Sequence, residues 1–260
     1  MIIASWNINS IRIRLESIIN WLKKRNPDII LFQEIKCQDS DFPEPFFLKN
    51  GYTSYVNGQK GRNGVAILVK ENLSSKNNYV KIENFLEENQ ARIIGTYIEK
   101  KDLYVYSLYI PNGNPVNDYK KFNYKIEWLK MLKNYIKPFI KNEKSLLLGG
   151  DFNVLENVTD TSNFEKWRSD ALGDIRIRKI FREILSQGMS NIIRVFEKNE
   201  KNFSYWDYQN ACWERNDGLL IDHFLSSPVL TDKVRFFGID SYVRGWQRPS
   251  DHVPIWVEID

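Results

Sequence analysis

The sequence alternates short apolar runs, which are typical of β-strands, with stretches whose apolar residues recur at helical spacing. Residues 2–8 (IIASWNI) and 28–35 (DIILFQEI) predict two strands. The segment between them predicts an amphipathic helix with four apolar residues at i, i+3, i+4 and i+7: Leu15, Ile18, Ile19 and Leu22. Such elements bury their apolar faces by layering helices against a sheet.

The same alternation continues along the chain. Further strands are predicted at residues 64–70, 91–98, 102–110, 144–151, 202–208, 219–226 and 253–259. We expect the first three of these to be neighbouring antiparallel strands, because turn residues separate them. Helical faces are predicted from Phe122 towards Pro138 and across residues 174–185.

This order predicts an α/β fold with two mixed β-sheets flanked by helices. A chain of 260 residues with 42% hydrophobic content can bury a substantial core and still form a single domain over residues 1–260. No apolar run approaches the ~18 residues that cross a membrane, and the amino terminus lacks a signal-peptide pattern. We therefore expect a soluble cytoplasmic protein, and a monomer by default.

Charge and aromatic content suit an anionic partner without requiring one. The chain has 37 Lys and Arg against 33 Asp and Glu, a net charge of +4. Aromatic residues make up 14% of the chain, and exposed aromatic rings beside basic residues can stack on nucleic-acid bases. Composition alone leaves nucleic acid as one option among several.

The stretch LLLGGDFNV, residues 146–154, ends an apolar strand with Asp151 and Asn153. Side chains two residues apart on an extended chain leave the same face, so both can address one point beyond the strand end. Asp and Asn also commonly form the turn that ends a strand. This stretch alone therefore leaves a turn and a functional site equally open.

Several other predicted strands also end in polar residues that a core does not need. These residues are Asn7, Asn9, Glu34, Tyr109, Asn112, Asp222, Asp251 and His252. Charged groups are rarely kept beside apolar runs without a partner or a metal, so the repeated pattern favours a shared site.

The residue types fit one chemistry. Glu34 and Asn7 offer a small number of hard oxygen ligands, which is how proteins hold Mg²⁺ when water and phosphate complete its shell. Zinc is disfavoured, because the sequence has no cluster of thiols and imidazoles. A histidine beside a carboxylate favours its protonated form and suits contact with phosphate, a role that we assign to His252. We expect His223 to be structural.

Eight motifs, WNINSIR, QEIK, GQKGRNGVAI, YIPNG, GGDFNV, FSYWDY, NDGLLIDHFLS and PSDHVP, together resemble the bacterial exonuclease III family of abasic-site endonucleases. The resemblance extends from residue 2 to about residue 259. It implies the four-layer α/β sandwich of the deoxyribonuclease I-like superfamily, with the site at the strand ends. It also implies a DNA-repair nuclease that cleaves duplex DNA 5′ to an abasic site, trims 3′ ends and clears blocked 3′ ends.

Matched position by position, the resemblance implies a role for each residue at the cleaved bond. Asp151 would orient and deprotonate the attacking water, and Asn153 would position that water and the phosphate. Glu34 and Asn7 would bind Mg²⁺, for which Mn²⁺ could substitute, and Asp251 would support the metal.

The remaining matched residues would contact the phosphate and the sugar. His252 paired with Asp222 would contact the scissile phosphate, as would Tyr109, with Asn112 in support. A pocket of Tyr205, Leu219 and Ile221, with Trp206 alongside, would accept a deoxyribose without its base. Leu220 departs from the pattern, because relatives usually carry an arginine there. The loss of that charge would weaken affinity for a flanking phosphate.

Two alternatives remain at the level of sequence. One is a hydrolase of small phosphoesters with the same fold and metal site, because fold alone does not set the substrate. The other is a catalytically silent DNA-binding protein. The presence of Glu34, Asp151 and His252 argues against the silent form.

Overall fold

A computed structural model describes residues 1–74, 79–81, 90–196 and 202–260. One mixed sheet has six strands in the order β11-β12-β1-β2-β4-β3. Their bounds are β1 Ile2–Asn7, β2 Ile29–Gln33, β3 Tyr52–Asn57, β4 Val65–Lys70, β11 Val234–Ile239 and β12 Ile255–Ile259. Only β1 and β2 pair in parallel in this sheet, so the predicted mixed character is confirmed here.

The second mixed sheet has the order β5-β6-β7-β8-β10-β9. Its strands are β5 Tyr79–Lys81, β6 Ile93–Ile98, β7 Leu103–Tyr109, β8 Ser145–Asp151, β9 Ser190–Asn191 and β10 Asp222–Ser226. The pair β7–β8 is parallel and the other pairs are antiparallel.

Seven helices accompany the sheets in the part of the chain described above. They are α1 Leu15–Arg25, α2 Glu44–Lys49, α3 Tyr119–Lys141, α4 Phe164–Trp167, α5 Ile175–Leu185, α6 Ile192–Phe196 and α7 Pro228–Thr231. Helix α3 begins at an Asp118 cap, whose side chain accepts a hydrogen bond from the Lys121 backbone, and it continues past Pro138. Among the described residues, no helix is both long and apolar enough to cross a membrane.

Three apolar clusters divide the fold into four layers. Leu31, Ile67 and Leu147 belong to the cluster between the two sheets. Trp21 of α1 packs on the outer face of the first sheet, and Trp128 of α3 packs on the outer face of the second. This arrangement confirms the predicted four-layer α/β sandwich.

Two local predictions were wrong. Strand β4 does not neighbour β6 and β7, because it pairs with β2 and β3 in the other sheet. Residues 202–208 form no regular strand, and Tyr205 makes only isolated bridges to Leu219 and His252. In both cases the apolar pattern indicates an extended segment. Partners distant in sequence decide whether that segment pairs as a strand and in which sheet.

The two parallel pairs bring polar strand ends to one edge of the sandwich. Asn7 at the end of β1 lies in register with Gln33 of β2, and Tyr109 at the end of β7 lies in register with Asp151 of β8. Strand β10 runs the opposite way and begins there with Asp222. The sheet topology therefore gathers side chains from both sheets at one place.

Candidate active site

Asp151, the last residue of β8, lies at the centre of the gathered side chains. Its Oδ2 accepts a hydrogen bond of 3.0 Å from Asn7 Nδ2, and its Oδ1 accepts one of 2.9 Å from the Asn153 backbone. Gly150 precedes it, and a methyl group there would lie 1.9 Å from the Leu108 carbonyl oxygen of β7. Glycine thus lets the strand bring Asp151 close to β7.

Asn7 links Asp151 to a second carboxylate, that of Glu34. The Asn7 amide donates to Glu34 Oε1 at 3.0 Å, while Lys36 Nζ lies 2.8 Å from Glu34 Oε2. Burial alone would raise the pKa of Glu34, but Lys36 and Asn7 outweigh it and lower that pKa. Glu34 is therefore held as a carboxylate, in a left-handed backbone conformation with φ of 49°.

His252 lies on the other side of Asp151, between two carboxylates. Its Nδ1 is 2.8 Å from Asp222 Oδ2, and its Nε2 is 3.6 Å from Asp151 Oδ2. Ser204 donates to the same Asp222 oxygen at 2.6 Å and so holds it in place. Burial opposes protonation of His252, but Asp222 and Asp151 outweigh it and raise the His252 pKa to about 10.

The titration of Asp151 shifts in the direction that a base needs. Burial raises its pKa to about 7, with Asp222 and Glu34 adding to the increase and His252 opposing it. A carboxylate tuned towards neutral pH can accept a proton more readily than an ordinary exposed Asp.

A group of polar side chains faces Asp151 from the ends of β7 and β8. Asn112 donates to Asn153 Oδ1 at 3.1 Å, and Asn153 donates to the Ile110 carbonyl at 3.0 Å. Burial, together with Glu34 and Asp151, keeps the pKa of Tyr109 well above its usual value. Tyr109 therefore remains a phenol that can donate a hydrogen bond.

These side chains line one cavity of about 190 Å³. Its walls are Glu34, Tyr109, Asn112, Asn114, Asp151, Asn153, Trp167, Leu172, Tyr205, Leu219, Ile221, Asp251 and His252. Asp251 at the rim accepts a hydrogen bond of 2.9 Å from Asn9. The cavity joins a carboxylate and amide side to a wall of apolar side chains.

Trp206 is misplaced by the sequence-based interpretation. It does not line the cavity but is 2% exposed, packs against Phe203 and Trp213, and donates to Asn216 at 3.2 Å. Successive extended residues point to opposite sides, so Tyr205 faces the cavity while its neighbour enters the core. Leu220 is likewise buried.

The profile of the Endonuclease/Exonuclease/phosphatase family matches residues 4–252, which include every residue that lines this cavity. The chain belongs to this family. Exodeoxyribonuclease III of Haemophilus influenzae is 31% identical, with 98% of each chain covered. The Bacillus subtilis exodeoxyribonuclease is 28% identical over the same shares. The predicted exonuclease III resemblance and the hydrolase class are therefore confirmed.

Two solved structures are similar to this chain over their whole length. An AP endonuclease from Archaeoglobus fulgidus superimposes with a TM-score of 0.93 at 30% identity, covering 100% of this chain and 99% of that one. The Neisseria 3′ phosphatase NExo, solved with a product DNA hairpin, gives the same TM-score, identity and coverage. These matches confirm the deoxyribonuclease I-like fold.

The acidic side of this family member's cavity suits a hard divalent cation. Glu34, Asp151 and Asp251 all contribute carboxylates to the lining. Within the described ranges, no three His, Cys, Asp or Glu side chains converge as a complete ligand cage. Carboxylate oxygens are ligands that hard divalent cations accept, with water completing the coordination shell.

Sequence reasoning missed four residues of the site, which are Lys36, Asn114, Trp167 and Leu172. Lys36 could have been found, because QEIK places it on the same side of the chain as Glu34. Trp167 and Leu172 line the cavity from α4 and the loop that follows it. That segment has no pattern pointing to the site, and only the tertiary fold brings it there. His223, as expected, lies in the core and approaches the Val154 carbonyl at 3.0 Å.

Proposed function

We propose that this chain hydrolyses the phosphodiester bond 5′ to an abasic site in duplex DNA and leaves a 3′-hydroxyl. The same proposal includes 3′ to 5′ exonuclease activity and the cleaning of blocked 3′ ends. The observation that carries it is Asp151 hydrogen-bonded to Asn7, which also binds Glu34, while facing the His252–Asp222 pair. The fold and the similarity to nucleases support it.

Asp151 acts as the base in this proposal. A water in the cavity, oriented by Asn153, donates a proton to Asp151 and attacks phosphorus. The bond from phosphorus to the 3′ oxygen breaks, and that oxygen leaves and takes a proton from solvent to become the 3′-hydroxyl. The hydrogen bond from Asn7 and the contact between Asn153 N–H and Asp151 fix the carboxylate before substrate arrives. A fixed geometry of this kind lowers the entropic cost of the attack.

Protonated groups on the opposite side stabilise the phosphate. His252 presents an imidazolium held by Asp222, and Tyr109 and Asn112 provide neutral donors. Because these donors are preorganised and partly shielded from water, they stabilise charge that develops on the phosphate oxygens. When bound by Glu34 with Asn7 beside it and Asp251 in support, Mg²⁺ or Mn²⁺ would supply further neutralisation of the phosphate and leaving oxygen.

The apolar wall provides selection for a sugar without a base. Tyr205, Leu219 and Ile221 form this wall with Trp167 and Leu172. A cavity of about 190 Å³ is small, so an intact nucleotide would have to displace wall residues whereas a bare deoxyribose fits more readily.

All of these groups come from one chain, which supports action as a monomer. Chromosomal DNA as substrate implies a cytoplasmic location in a bacterial cell.

A panel of labelled duplexes tests the proposal. One carries a single tetrahydrofuran abasic analogue, one a 3′-phosphate and one only normal nucleotides, with inositol phosphate as a small phosphoester. Tetrahydrofuran cannot undergo β-elimination, so incision with a 3′-hydroxyl product demonstrates hydrolysis on the 5′ side. Hydrolysis of only the small phosphoester would refute a DNA substrate, and duplex binding without any cleavage would identify a silent binder.

A further inference from the structure

Lys125 of α3 is fully buried beneath the active site, with a relative exposure of 0%. Its ammonium donates to three backbone carbonyls: Asn112 at 2.9 Å, Asn153 at 2.6 Å and Ala171 at 2.9 Å. A lysine is rarely buried without partners, so three matched acceptors indicate a specific position and not a chance burial.

The three carbonyls come from three separate segments that border the cavity. Asn112 follows β7, Asn153 follows β8, and Ala171 precedes the cavity residue Leu172. Lys125 itself does not line the cavity. Its Nζ therefore joins the backbones of the site from behind, without touching a substrate.

The stem of Lys125 also packs against the loop after β7. A methyl group at Gly113 would lie 2.7 Å from Lys125 Cδ, and Gly113 has a φ of 83°, which favours glycine. The loop thus rests on the lysine stem while its Asn112 carbonyl accepts the ammonium. Both contacts fix where the Asn112 side chain projects.

The number of donors argues for the charged form of Lys125. An ammonium has three N–H groups for the three carbonyls, whereas a neutral amine has two. Burial lowers the pKa of Lys125 to about 7, and Asp170, Asp151 and Asp174 oppose that decrease. Loss of the ammonium would leave a buried carbonyl without its partner.

We propose that Lys125 is a positioning residue that holds the Asn112 and Asn153 backbones so that their amides meet the phosphate and the attacking water. This inference rests on the proposed function for its kinetic readout. Asn112 already donates to Asn153 Oδ1 at 3.1 Å, so a shift of either backbone would disturb both side chains.

The test compares Lys125→Met with Lys133→Met on abasic duplex. Lys133 lies on the same helix but pairs with Glu183 at 2.7 Å, away from the cavity. We expect Lys125→Met to lower kcat by about 10- to 100-fold with KM changed less than about threefold, because misplacement of positioning groups acts on the chemical step. Lys133→Met should match the wild type, and Lys125→Arg should lose less than Lys125→Met because it keeps the charge and donors.

Two further measurements separate positioning from general destabilisation. Combining Lys125→Met with Asn153→Ala should cost less in kcat than the product of the two single losses, because part of the Lys125 contribution acts through Asn153. Amide hydrogen exchange should increase in residues 110–114 and 152–154 while β1 and β2 remain protected. If Lys125→Met does not fold, Gly113→Ala disturbs the same contact from the loop side and should give the same split between kcat and KM.

Failure of the proposed function and failure of the Lys125 positioning role give different results. A wild type that never cleaves the abasic duplex contradicts the proposed function. An active wild type with a folded Lys125→Met variant that keeps full kcat, or with additive losses in the double variant, overturns the positioning role.

Discussion

The Nε2 atom of His252 lies 3.6 Å from the Oδ2 atom of Asp151, so an imidazolium and a carboxylate face one another across the cavity. Asp222 holds the other ring nitrogen at 2.8 Å and favours the protonated ring. Asp151 can accept the proton of the attacking water, and His252 can donate a hydrogen bond to the phosphate. The two tasks therefore belong to two neighbouring groups of opposite charge.

Replacement of Asp222 by Asn should weaken the interaction between protonated His252 and the phosphate. Without the adjacent carboxylate, His252 loses the main interaction that keeps its ring protonated and oriented. We expect single-turnover cleavage of abasic duplex to slow by about 100-fold or more, in line with the size of acid–base contributions. Asp232→Asn, an exposed aspartate remote from the cavity, is the control. An unchanged rate in Asp222→Asn would show that the pair has no role in the reaction.

The rate should depend on pH through Asp151. Its pKa is raised from the ordinary 3.8 to about 7, so acidification through this range adds a proton and removes the base. We expect kcat/KM to fall as pH decreases below about 7, with a bound divalent cation moving the midpoint lower. Single-turnover rates from pH 4.5 to 9, with duplex binding measured at each pH, check this. A rate that is flat down to pH 4.5 while the duplex stays bound would contradict the assignment.

Trp167→Ala should weaken discrimination between abasic and intact sites. Trp167 forms part of the apolar wall with Leu219 and Ile221, and its loss enlarges the space beside the sugar. We expect the ratio of kcat/KM for abasic over normal duplex to fall by about tenfold, a size typical of pocket contacts. Trp213→Ala, which removes a ring from the separate Trp206 cluster, should leave the ratio unchanged. An unaltered ratio in Trp167→Ala would exclude it from selection.

Asp240→Ala should reduce stability and spare the chemistry. Asp240 lies just after β11, outside the cavity lining, and accepts hydrogen bonds from Trp21 at 2.7 Å, Arg25 at 2.5 Å and Trp256 at 3.3 Å. Its removal leaves the buried Trp21 N–H without its acceptor and the partly buried Arg25 without its partner, which costs about 1–3 kcal/mol. Urea unfolding should show this decrease in free energy, while kcat at 20 °C stays within about twofold. A loss of kcat in the folded variant would mean that the site depends on this network outside the cavity.

Much of the fold could be predicted because its signals are local. The β8 run and the α1 face carry their periodicity within a few residues, and both elements form as expected. The sheet partner of β4 could not be predicted, because an apolar run fits any strand and the choice is made by residues far along the chain.

The site divides in the same way. Polar residues at strand ends indicated Asp151, Glu34 and His252, since each breaks an apolar pattern. Lys125 was missed because a lysine on an amphipathic helix usually faces solvent, and only the carbonyls of three distant loops explain its burial.

The most direct test of the central claim is cleavage of the tetrahydrofuran duplex by wild type, Asp151→Asn and Asp232→Asn, each with Mg²⁺ or with EDTA. We predict incision 5′ to the analogue by wild type and Asp232→Asn, loss with EDTA, and a decrease of at least about 1,000-fold in Asp151→Asn with duplex binding retained. Full cleavage by Asp151→Asn, or by wild type in EDTA, would contradict the account of this site.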